Sequence, residues 1–178
     1  LAATLVLAGA MISGVSVYAQ APEGAMSDAE VESLRNTKAL PMDRIEAFEK
    51  ILDDREHIVT KLVSKPHHPA FTTDMHDAIE EFSAVADELN DNLDEYNKNL
   101  RDVRKVLPKL IAETDRWATS LRAAGDDDHY NVVRRIALNT LKDTHDLAVE
   151  MQVTQVKYFK EHPEAAQAQR DSVTGNPR

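Results

Sequence analysis

The chain has no cysteine in 178 residues. That removes disulfides, thiolate metal sites, thiol nucleophiles and covalent c-type haem attachment in one step. Glycine is scarce, at five residues, and the aromatics amount to one Trp, four Tyr and four Phe. β-Sandwiches and doubly wound sheets both need frequent Gly-containing turns, so neither fits. There is no Gly-rich phosphate loop and no nucleophile-elbow glycine pattern, so nothing mounts phosphoryl or acyl transfer and the chain is not expected to be an enzyme. Excess positive charge is also missing. The formal charge of −10 favours solubility and argues against nucleic acid or anionic lipid as partners, because polyanions select basic surfaces.

What remains is rich in Ala, Leu, Asp, Glu, Lys and Arg, a composition that suits helices. Residues 1–19 carry no charge and form an apolar run closed by small residues. Val17 and Ala19 match the positions a signal peptidase reads, so residues 1–19 are expected to be a signal peptide, with Gln20 first in the mature chain. The chain opens at Leu1 without an initiator Met or a basic n-region, and its true start is expected upstream. The competing reading is an uncleaved anchor helix, since about 20 apolar residues span a bilayer. Ser13, Gly14 and Ser16 lower the hydrophobicity, and an anchor has no use for a cleavage pattern.

The mature chain reads as a flexible leader over residues 20–41, a helical bundle domain over 42–162 and a disordered tail over 163–178. Ser27 and Glu30 have the spacing of a capping box, predicting a short helix inside the leader. Behind Pro41, residues Ile45, Phe48, Leu52, Val59 and Leu62 recur at three- and four-residue steps, with Arg55 in the one missing place, predicting a helix over about 42–63. The Lys-Pro-His-His-Pro-Ala stretch, 65–70, breaks it, and Thr72 or Thr73 is expected to cap the next.

The clearest signal follows. Met75, Ile79, Phe82, Ala86, Leu89, Leu93, Tyr96, Leu100, Val103, Leu107, Leu110, Thr114, Trp117 and Leu121 alternate four- and three-residue steps without a slip. Such a heptad predicts a coiled-coil-like seam. Because the phase passes through Pro108, the favoured reading is one kinked helix over 72–124, about 75 to 80 Å long. The alternative is a compact four-helix bundle broken at Pro108. Gly125 supplies a stop, Asp126 to Asp128 are expected to cap a third helix, and Val133, Ile136, Ala137, Leu141, Leu147, Ala148, Met151 and Phe159 form its apolar face up to about His162.

An unbroken long helix makes a rod two helices thick, with much apolar surface left in water unless a partner completes a four-helix cross-section. Asp74 to Glu95 holds nine acidic residues and no Lys or Arg, whereas Lys98 to Arg122 holds seven basic against three acidic. An antiparallel homodimer sets these halves against each other.

Seven histidines raise the question of a metal. His67, His68 and His76 are the candidate ligands, since a transition-metal site needs three or four converging donors. Asp54–His57 and Asp126–His129 repeat the spacing of an E-x-x-H di-iron pair, but without the second pair and the inward carboxylates such a site requires. For a non-covalent haem, Met75, Met151 and His145 are the candidates, against the commoner role of Met in packing. No cofactor is expected. The reading is an exported, all-α bundle of the bacterial envelope, periplasmic or secreted, acting as an interaction or structural protein. It is not expected to bind membrane after signal cleavage. Its rivals are a metal- or haem-binding bundle and a sensory or chaperone-like one.

Overall fold

The computed structural model describes residues 24–65 and 69–174, and every regular element among them is an α-helix. The segment read as a signal peptide lies outside the described residues. The helices are α1 (Asp28–Asn36), α2 (Pro41–Val63), α3 (Phe71–Lys98), α4 (Leu107–Ala123), α5 (Asn131–Glu161) and α6 (Pro163–Thr174).

The capping box is formed at α1. The Ser27 hydroxyl accepts from the Glu30 N–H, and the Glu30 carboxylate accepts from the Ser27 N–H at 2.6 Å. The same carboxylate receives Arg55 from α2 at 2.9 Å, while Arg55 also donates to the Ala25 carbonyl at 2.8 Å. The one polar residue in the α2 apolar series thus docks α1 on α2. Around it Ile45, Phe48, Leu52 and Val59 are fully buried, each worth about 1.5 to 3 kcal/mol in apolar surface removed from water.

The long seam is not one helix. Helix α3 ends at Lys98 and α4 begins at Leu107, so the expected helix over 72–124 is corrected to two helices joined by residues 99–106. The break falls before Pro108, which sits in the first turn of α4, where a missing N–H costs nothing. Helix α3 closes in a Schellman ending: Arg101 N–H donates to the Tyr96 carbonyl at 2.9 Å and Leu100 N–H to the Asn97 carbonyl at 3.2 Å. The residue at the left-handed position, usually Gly, is Leu100 with φ of 49°.

The two pieces fold back and fill one core. Thirteen of the fourteen seam residues are buried, and the exception is Leu100, which is 40% exposed. Phe82 of α3 and Trp117 of α4 meet edge to face across the centre, ring centroids 6.1 Å apart.

Helices α2 to α5 form the bundle, each packed on two of the others in the ring α2, α3, α5, α4. Arg44 meets Asn92 and Arg55 meets Glu81, so α2 and α3 run antiparallel. Asp87 meets Thr140 and Asn90 meets Thr144, so α3 and α5 run parallel. Glu49 meets Lys109 and Glu56 meets Ser120, so α2 and α4 are parallel as well. The molecule is therefore two antiparallel hairpins, α2/α3 and α4/α5, laid side by side and joined by a diagonal crossing. The cross-section that a rod would have needed a partner to complete is completed within the chain.

Several local expectations are corrected. Helix α3 starts at Phe71 with Ala70 at its N-cap, so neither Thr72 nor Thr73 caps it. Tyr130, not an aspartate, precedes α5; Asp127 instead closes the turn, its carbonyl accepting from Asn131 N–H at 2.8 Å. Ile136 is half exposed rather than core. The tail expected to lack structure is helical from Pro163 to Thr174.

Helix α6 has a partner in the crossing. Gln169 accepts from Asp102 N–H and donates to the Leu100 carbonyl, each at 2.9 Å. Gln155 of α5, buried, accepts from Val103 N–H at 3.2 Å and donates to the Arg101 carbonyl at 3.0 Å. Two glutamine amides thus satisfy four consecutive backbone positions that no helix serves. Asp102 holds the Arg104 guanidinium at 2.8 Å, and Arg104 lies over the Phe159 ring.

Candidate functional site

Of the three histidines expected to ligate a metal, His67 and His68 lie outside the described residues. His76 is on the second turn of α3, part-exposed, its Nδ1 3.3 Å from Asp77 Oδ1. Glu80, one turn on, completes a group whose donor atoms lie within 4.8 Å of one another. All three belong to one helix face and open onto solvent.

The haem candidates do not converge. With Asp87 level with Thr140, Met75 lies twelve residues toward one end of the bundle and Met151 eleven toward the other. At 1.5 Å per residue they are about 35 Å apart. Both are fully buried as packing, and His145 faces Asp115 and Asp146 at the surface.

His57 is exposed on the outside of α2. The Asp126–His129 turn lines a surface hollow of about 330 Å³ with Asp127, Asp128 and Asn131. Two of its acids are engaged within the turn and nearby: Asp127 accepts from His129 N–H at 2.9 Å, and Asp126 pairs with Arg134.

A polar ladder between α2 and α4 has no signature in the local sequence pattern. Glu49, Asp53 and Glu56 lie one above another on α2, facing Lys109, Arg116, Trp117 and Ser120 of α4. Lys109 reaches Glu49 at 2.6 Å, while Arg116 spans Asp53, Glu56 and Glu113. The Trp117 indole N–H donates to Asp53 at 2.8 Å. Burial pushes the Glu49 carboxyl above the ordinary range despite Lys109, and its Oε1 has no hydrogen-bond partner. Burial acts on Glu56 too, but hydrogen bonds from Ser120 and Thr60 and the Arg116 charge outweigh it and hold that carboxyl low. Every acid here is held by a cation or a hydrogen-bond donor, which makes the ladder a structural interlock between parallel helices.

The outward face of α5 is different. Val132, Ile136, Val149, Val153 and Val156 are exposed by 60, 48, 39, 69 and 50%. The last three follow steps of four and three and form one patch. In the sequence this second apolar stripe merges with the broad inward one, and only the packing of α5 separates the two. Thr140 and Thr144, which interrupt that inward stripe, bond Asp87 and Asn90 of α3.

Among the described residues no helix is long and apolar enough to cross a membrane. The architecture is that of an all-α helical bundle. Comparison of the chain with family models, curated proteins and solved structures finds no match.

Proposed function

We propose that this chain is an exported helical bundle of the bacterial envelope that works by protein–protein contact through the outward face of α5. The observation that carries the reading is the Val149–Val153–Val156 patch, contiguous aliphatic surface left in water on one helix face, with Val153 the most exposed large apolar side chain among the described residues. Export rests on the apolar run of residues 1–19 and its small-residue cleavage pattern. The test is a photo-activated cross-linker at Val153 in the cells that make the protein, with one at exposed Lys105 as control, and the mature N-terminus read by mass spectrometry. A defined adduct from position 153 alone, on a chain starting at Gln20, is expected. No adduct, or equal adducts from both positions, would overturn the reading.

A second reading, a metal-binding bundle, is favoured by the convergence of His76, Asp77 and Glu80. Calorimetric titration with Zn2+ tests it. Saturable binding lost in His76→Ala supports the site, and heat unchanged by that substitution removes it.

A further inference from the structure

We infer that the α5 patch is the contact between two copies of this chain, packed antiparallel about a two-fold axis at Val153. The inference rests on the proposed interaction role of this face and names its occupant.

A two-fold contact must be complementary to itself, so whatever lies a given distance before the axis has to suit what lies the same distance after it. The α5 face meets that condition. Asp146 stands seven residues before Val153 and Lys160 seven after, both exposed. Reversing one helix on the other brings Lys160 of a second copy level with Asp146 at each end, about 10 Å from the axis. Between these ends Val153 meets its own copy, Val149 lies within one residue's rise of Val156 of the other copy, and Glu150 within one residue's rise of its Lys157, a second pairing of opposite charges at the edge of the patch. Glu150, Lys157 and Lys160 form no ion pair with another described residue, so their charges are at hand for an outside group; Asp146 already pairs with the exposed Lys142 and lies 3.3 Å from His145, and Lys160 of the second copy would share it with them. A parallel pairing sets Asp146 on Asp146 and Lys160 on Lys160, and the repulsion selects the antiparallel one. An unrelated partner would have no reason to demand this symmetry.

The overlap is limited because α5 ends at Glu161. Antiparallel packing about Val153 engages only residues 145–161, leaving Val132 and Ile136 outside. A contact of two short helical stretches falls in the small, transient class of interfaces. The dimer is therefore weak and concentration-dependent, with rim charges that salt screens.

Sedimentation equilibrium of the full mature chain over a range of concentrations tests this. A monomer–dimer equilibrium is expected, weakened at least tenfold by Val153→Asp, a substitution at an exposed site that leaves the far-UV CD melt unchanged. Lys160→Glu is expected to weaken association, and adding Asp146→Lys to restore it. A monomer at every soluble concentration, or a dimer indifferent to both Val153→Asp and the charge swap, would overturn the inference. If the chain is monomeric while position 153 still cross-links a different protein, the self-contact fails and the interaction reading stands. If nothing cross-links there, both fail.

Discussion

Replacing Gln155 offers the sharpest test of why the chain turns between α3 and α4. Its amide satisfies Val103 N–H and the Arg101 carbonyl from a position 1% exposed. Gln155→Leu keeps most of the volume and removes both bonds, leaving two backbone groups inside without partners. Each such group costs about 1 to 3 kcal/mol, so the loss should total about 2 to 6 kcal/mol. That is a large share of the stability of an ordinary domain, about 5 to 15 kcal/mol. Gln155→Glu adds a handle. Ionised, it accepts from Val103 N–H but cannot donate to Arg101 and carries a buried charge, so at neutral pH it should be at least as damaging as Leu. Protonated, it restores both bonds. Its folded-state pKa is then raised, and its stability is present at low pH and lost as pH rises through that value. Urea unfolding followed by Trp117 fluorescence and far-UV CD measures both. A loss under about 0.5 kcal/mol for Leu, or a Glu variant that does not recover on acidification, would refute the assignment of the turn to these bonds.

Three other expectations follow from single positions. Leu100→Gly should raise the thermal midpoint, relieving about 1 kcal/mol of left-handed strain less the modest burial of a 40% exposed side chain. A lower midpoint would mean that the strain is not there. On the α2–α4 ladder the two shifted carboxyls act oppositely. Glu56, held low, contributes stability above the ordinary carboxylate value that is lost as pH falls through its own, whereas Glu49, held high, makes stability fall as pH rises from the ordinary value through its own. Glu56→Gln should therefore cost stability at neutral pH and flatten the acid limb, while Glu49→Gln should be neutral or stabilising there, both read from midpoints across pH. Leu89→Asp, placing a carboxylate at a site 1% exposed, should abolish cooperative unfolding in far-UV CD. Retained helicity and melting would remove Leu89 from the core.

The candidate site was less legible than the fold. His76 stands out because imidazole is uncommon in the chain, whereas Asp77 and Glu80 are two of many acids on α3 and only their proximity in the fold marks Glu80 as a companion. Glu49 looks like any helix-surface glutamate, since the α2 heptad reads correctly without it. It is buried because α4 packs beside α2 in parallel, a pairing of residues sixty apart that no local pattern announces. The α5 valines are ordinary helix residues until the bundle shows which side of α5 is left outside.

The amino-acid sequence by itself determined that the described chain is helical, where α2 begins and ends, where α5 ends, and, for every seam residue but Leu100, its place in the core. Apolar spacing, proline and the Gly125 stop act within a few residues, so they can be read in one dimension. The sequence could not reveal that the seam turns at Leu100. The heptad phase runs through the break, and the Schellman bonds use a leucine where a glycine would have declared the stop. Only the tertiary structure decided the turn, because the groups that satisfy residues 100–103 are the amides of Gln155 and Gln169, brought there by folding the second hairpin onto the first.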